Sequence, residues 1–169
     1  LPKGTSYNSY LVQGEEKTAL VDTVNPGFED TLEEKVRRIT DPEEIDYIVM
    51  NHAEPDHANA IPHMLSLMED GKVLTTSKGK DLAQSLHHVP EEKIQVVEDK
   101  ETLDLGGKTL RFIEAPWLHW PETMLTFYEE EGILFPCDFF GTHMASSKFY
   151  DEEIGEELIE HAKRYYGEI

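Results

Sequence analysis

Apolar residues recur along the chain in two rhythms. Residues 8–13 (NSYLVQ) and 18–24 (TALVDTV) are short, strand-like stretches around a polar turn at Gly14-Glu15-Glu16. Phe28, Leu32, Val36 and Ile39 return at helical spacing behind a breaker, Asn25-Pro26-Gly27. Residues 45–50 (IDYIVM) read as a short apolar strand. Ile61, Leu65 and Met68 then mark a helix, residues 72–76 a strand, and residues 79–87 another helix. Beyond that point strands dominate: 94–97, 103–105 and 110–114, the last two turned by Gly106-Gly107, then 124–128 and 133–135 joined at Glu131-Gly132. Ile154, Leu158, Ile159 and Ala162 share one face of a closing helix. Early alternation of strand and helix followed by hairpins predicts an α/β sandwich with helices outside two sheets. No repeat, low-complexity tract or Gly/Ser linker interrupts this pattern, so residues 1–169 are expected to form one domain.

Composition narrows the class. Lys and Arg number 15 against 35 Asp and Glu, a formal charge of -20. Such a surface repels phosphate backbones and anionic lipid, which argues against nucleic acid and membrane as partners. A solvated acidic face is the preferred reading, with the steering of a basic electron donor as a secondary one. The single cysteine, Cys137, allows no internal disulfide, and no apolar run approaches the length of a membrane span. With no secretory leader pattern in the given sequence, a cytoplasmic protein is expected. The chain opens on Leu1 rather than Met, so a fragment of a longer protein is also expected.

One stretch concentrates chemistry. His52-x-Glu54-x-Asp56-His57 packs four metal-capable side chains into six residues directly after a strand. Asn51 and Pro55 restrict the loop, because the residue before a proline is pushed to extended backbone. Imidazole and carboxylate together suit iron, manganese or zinc. Two further ligand types fall near later strand ends, His119 and Asp138. His63, His87, His88 and His161 lie on helices or their ends and read as surface or satisfied core residues. Cys137 reads as a packing residue, not a nucleophile. Carboxylates gathered this closely repel one another, so at least one of Glu54, Asp56 and Asp138 is expected to have a raised pKa.

The motif, a distant His in Pro116-Trp117-Leu118-His119-Trp120-Pro121, and Asp in Cys137-Asp138-Phe139-Phe140-Gly141 together resemble the flavodiiron proteins, or A-type flavoproteins. Gly4-Thr5-Ser6-Tyr7-Asn8 and Gly132-Ile133-Leu134-Phe135 support the resemblance, which covers essentially the whole chain. Its spacing also fits: 61 residues separate His57 from His119, and 18 separate His119 from Asp138. The resemblance implies a metallo-β-lactamase-like αββα sandwich, here partial. It implies a non-haem di-iron site: His52, Glu54 and His119 on one iron, Asp56 and His57 on the second, and Asp138 bridging. Zinc hydrolases of that fold usually carry His at the position of Glu54, so the carboxylate there favours iron.

The implied activity is reduction of dioxygen to water or of nitric oxide to nitrous oxide. Electrons would arrive from FMN on a flavodoxin-like domain or a partner subunit, or from a rubredoxin, in a homodimer. The family's last His ligand and its flavodoxin-like domain have no counterpart in these residues, so unequal metal positions are expected of the chain by itself. Two alternatives stay open: a flavodoxin-less oxygen-binding sensor, and a zinc hydrolase of the same fold with Asp56 as base.

Overall fold

A computed structural model describes residues 3–148 and 150–167. Its first sheet is built from β1 (Tyr10–Gln13), β2 (Thr18–Val21), β3 (Tyr47–Val49), β4 (Lys72–Thr75) and β5 (Ile94–Val96), in that spatial order. β1 and β2 are antiparallel; β2 to β5 run parallel. Parallel neighbours need crossovers, supplied here by α1 (Glu29–Arg37), the pair α2 (Pro55–Ala58) and α3 (Ile61–Leu67), and α4 (Ser77–His87). The second sheet is an antiparallel meander of β6 (Thr102–Asp104), β7 (Thr109–Glu114), β8 (Met124–Tyr128) and β9 (Ile133–Phe135). A last helix, α5 (Glu156–Tyr166), follows.

Strand alternation sorts the core into two layers. Leu20, Ile48 and Val73 pack under the helices with Leu32, Val36, Ile61, Met64 and Ala83. Ala19, Val21, Val49 and Leu74, one residue out of phase, face the second sheet and meet Leu110, Phe112, Met124 and Tyr128. The expected mixed sandwich is therefore present as helix, sheet and sheet. On the outer face of the second sheet, Arg111, Ile113 and Phe127 are only half-buried. Among the described residues, no helix is long and apolar enough to cross a membrane.

Two expectations need correction. The strand expected over residues 18–24 stops at Val21, because Asp22 takes a left-handed conformation (φ 56°) that extended backbone cannot continue. The segment after His52 is not all loop. Pro55 opens a one-turn helix, its fixed φ suiting a first helical position, while Glu54 before it is extended (φ -61°, ψ 139°).

The sandwich is stitched at both ends. At one end the β1–β2 turn lies on the β6–β7 turn: Glu15 N–H donates to Gly106 O (2.9 Å) and Glu16 N–H to Leu105 O (3.0 Å). Gly14 is required there, since a Cβ would fall 1.9 Å from the Leu105 carbonyl oxygen. The other end, where β2, β3, β7 and β9 finish, gathers the polar residues.

Candidate metal centre

Asn51 is wholly buried where β3 ends and joins the sheets. Its Nδ2 donates to Asp22 Oδ2 (2.9 Å) and to Phe135 O (3.3 Å), and its Oδ1 accepts from Thr126 Oγ1 (2.7 Å). Its backbone N–H donates to Asp22 Oδ1 (2.9 Å). Asp22 titrates at about 6, pushed up by burial against the opposing pull of His57 and the Asn51 bonds.

From this knot the chain runs into His52, only 1% exposed. Ala53 is held from both sides of its residue: its N–H donates to Glu122 Oε1 (2.9 Å), and its carbonyl lies 2.7 Å from His87 Nε2. The latter contact makes His87 a satisfied core residue, as expected. His63 pairs with Glu33 (2.8 Å), and His161 lies 3.8 Å from Glu157. His88 is the left-handed cap of α4.

The six expected ligand residues meet at one edge of the sandwich. His52 Nε2 lies 3.3 Å from Glu54 Oε2 and 3.5 Å from Asp138 Oδ2. His119 Nε2 lies 3.2 Å from the same Glu54 oxygen. His52, Glu54, His119 and Asp138 can each offer one donor atom such that all four lie within 4.8 Å of one another. Asp138 turns its other oxygen to His57, Oδ1 to Nε2 being 2.9 Å. Asp56 sits at the margin: its Oδ2 is 3.6 Å from His57 Nε2, and it belongs to neither close group of donors. Cys137, instead, comes within ligand reach of His57 and Asp138. Burial, reinforced by Asp22 and Asp138, pushes its thiol well up, which keeps it protonated and supports a packing role.

Two loops bring in His119 and Asp138, and both are strained. Trp117 (φ 65°), His119 (φ 75°), Cys137 (φ 53°) and Phe140 (φ 67°) are all left-handed without being glycine. Such conformations cost on the order of 1–3 kcal/mol each and persist where surrounding contacts fix them.

The electrostatics fit a cation. His52 Nδ1 is engaged by Glu122 at 2.8 Å, which leaves Nε2 facing two carboxylates. A neutral ring with its Nδ1 proton on Glu122 would point a lone pair at further acceptors, an arrangement that a shared cation resolves. Burial opposes the charged ring, but Glu122 and Asp138 outweigh it and raise its pKa. His57 is pushed up to about 9: burial works against the charge, and Asp138, Asp22 and Asp56 overcome it. Asp56 is pushed above the ordinary carboxylate value by burial and the nearby charges of Glu54 and Asp138. Asp138 goes the other way despite its burial, because His57 and His52 hold it ionised. Asp56 Oδ1 is buried with no hydrogen-bond partner, an orphaned acceptor beside the cluster. Tyr7 and Tyr165 flank Asp56, His57 and Asp138 in an open cleft of about 1080 Å³. Burial and Asp138 keep the Tyr165 phenol protonated.

Two contributors lie outside the sequence reading, Glu122 and Asp22. Asp22 interrupts an otherwise apolar strand run, and Glu122 stands two residues before a buried strand. Both are places where a charge needs a reason.

A sandwich that gathers imidazoles and carboxylates from the strand ends of both sheets defines a metallo-β-lactamase-like protein. Within that class the chain belongs to the family described as ODP family beta lactamase, whose profile matches residues 5–168. The anaerobic nitric oxide reductase flavorubredoxin of Salmonella arizonae is 40% identical over 169 residues, 99% of this chain and 35% of the relative. The nitric oxide reductase of Moorella thermoacetica is 41% identical over 168 residues, 99% of this chain and 42% of the relative. Among solved structures, the rubredoxin oxygen:oxidoreductase of Desulfovibrio gigas superimposes with a TM-score of 0.93 at 37% identity, covering 98% of this chain and 41% of that one. The flavodiiron protein of Giardia intestinalis gives 0.94 at 32% identity, covering 99% and 41%. The chain thus spans well under half the length of each of these relatives.

Proposed function

We propose that this chain is the metal-carrying part of a di-iron oxidoreductase that reduces dioxygen or nitric oxide. In this reading His52, Glu54 and His119 hold one iron, Asp56 and His57 the other, and Asp138 bridges them. The observation that carries it is the divided carboxylate of Asp138, with Oδ2 3.5 Å from His52 Nε2 and Oδ1 2.9 Å from His57 Nε2. A single anionic side chain facing two imidazoles suits two neighbouring cations. Glu54, with one oxygen 3.3 Å from His52 Nε2 and 3.2 Å from His119 Nε2, supplies the hard donor that favours iron over zinc. Two adjacent iron ions would supply paired electrons and concentrated positive charge to a bound diatomic substrate.

The chain's own residues set the surroundings. His52 is buried at the floor, while Glu54 and His119 are partly exposed, leaving a side open to small molecules. The protonated phenols of Tyr7 and Tyr165 border the His57 side of the cluster.

The names of the relatives support nitric oxide and dioxygen as substrates and rubredoxin as an electron donor. FMN on a flavodoxin-like domain or partner subunit, a homodimer, one domain over residues 1–169 and a cytoplasmic setting belong to the same proposal. Anaerobic loading with ferrous iron in competition with zinc tests it. One tightly held iron per chain with a weaker second is expected, with consumption of nitric oxide or dioxygen once iron is in excess and a reduced flavodoxin or rubredoxin is supplied. Preferential zinc uptake would point instead to a hydrolase of the same fold. Loading with iron but reversible oxygen binding without turnover would point to a sensor.

A further inference from the structure

Glu122 sits two residues before β8, on the loop that also carries His119. Its side chain is fully buried. Oε1 lies 2.8 Å from His52 Nδ1 and accepts from Ala53 N–H at 2.9 Å. Oε2 is buried with no partner. The residue's backbone is fixed as well: Thr76 Oγ1, at the end of β4, donates to the Glu122 carbonyl at 2.9 Å.

A buried carboxylate is costly unless something uses it. Satisfying the Ala53 N–H does not require a charge, since a carbonyl or hydroxyl would serve. The second bond explains the carboxylate. An anion at Nδ1 keeps the proton on that nitrogen and leaves the Nε2 lone pair facing Glu54, His119 and Asp138. It also pushes electron density through the ring and makes Nε2 a better donor. His52 cannot be oriented from its other side, where its neighbours are themselves proposed ligands.

We infer that Glu122 is a positioning residue for the metal centre, fixing the ring orientation and tautomer of His52 without touching the metal. The inference rests on the di-iron reading and adds to it a residue that the motif does not contain. It assigns two roles to the segment 117–122: His119 as a ligand, and Glu122 as the group that aims a ligand on the opposite sheet.

The test compares wild type with Glu122→Gln and Glu122→Leu, using cobalt(II) as the probe. Affinity comes from competition with a chelator, and the exchangeable imidazole N–H proton of the cobalt-bound protein from its shifted NMR signal. Glu122→Gln keeps an acceptor for both bonds and removes the charge; Glu122→Leu removes both. Wild type should bind cobalt(II) and show a slowly exchanging His52 N–H. Glu122→Gln should keep that signal with affinity about 10-fold lower. Glu122→Leu should lose slow exchange, with affinity down by up to about 100-fold. Thermal melting of the chelator-treated variants separates folding from positioning: a folded Glu122→Gln with weakened binding supports the inference even if the leucine variant unfolds. Wild-type affinity and an unchanged N–H signal in a folded variant would overturn the role of Glu122 alone. No cobalt binding by wild type would overturn the metal reading, and this inference with it.

Discussion

Replacing Asn51 by leucine should destabilise the domain by about 3–5 kcal/mol. The side chain makes three bonds with buried partners, at 2.9 Å to Asp22, 3.3 Å to Phe135 O and 2.7 Å from Thr126. A net contribution of about 1 kcal/mol per bond accounts for about 3. Asp22 adds to the loss, since a buried carboxylate deprived of a donor costs roughly 1–3 kcal/mol more. Leucine returns part of this through apolar burial in a site of similar volume. The backbone bond from Asn51 N–H to Asp22 survives the change, which caps the penalty. With a urea dependence of about 2 kcal/mol per molar for a domain of this size, the midpoint should fall by roughly 1.5–2.5 M. Thr126→Val removes only one of the three bonds and should cost about 1–2 kcal/mol. A midpoint shift below about 0.5 M for Asn51→Leu, with an unchanged urea slope, would refute the idea that this amide carries the joint between the sheets.

Other outcomes follow from the same geometry. Glu54→His should move metal preference from iron toward zinc, read as the iron-to-zinc ratio after loading with both; an unchanged ratio counts against the role given to the carboxylate. Cys137→Ser should leave metal content unaltered, and loss of metal from a folded variant would show that the thiol is a ligand. Gly14→Ala should lower stability by about 1–3 kcal/mol, because its Cβ meets the Leu105 backbone; a melting temperature equal to wild type would contradict this. In chelator-treated protein, the charged His57 ring stabilises the fold fully below its ordinary value of 6.5, and this contribution disappears as pH rises through about 9. Relative to His57→Gln, wild type should therefore lose up to about 3 kcal/mol across that window, and a flat difference would sink the assignment.

The candidate ligand set could be picked out because its chemistry is dense: four potential donors stand in six residues after an apolar strand. His119 and Asp138 were legible from the ends of strands and from resemblance, but not their strain. Nothing in Trp117-Leu118-His119 or Cys137-Asp138 announces left-handed backbone, which the packing of two loops against one cluster imposes. The turn at Pro55–Ala58 escaped periodicity because four residues are too few to show one. Glu122 escaped for a different reason. Its meaning lies in a contact 70 positions away, and a lone acid beside a strand looks like any surface carboxylate until the sheets are stacked. Asp56 illustrates the converse: the motif ranks it with its neighbours, whereas its side chain stands at the rim of the cluster.

His57 and Asp138 stand 81 positions apart in the chain, and one belongs to each sheet's set of loops. A cation gripped by both would act on the polymer as a cross-link, excluding unfolded conformations in which those ends drift apart. By loop-closure reasoning, a link of that span restricts the unfolded ensemble by about 4 kcal/mol, as a long disulfide loop does. Removing such a cation would then register in the polymer itself, as faster cleavage by proteases in chelator-treated protein than in metal-loaded protein.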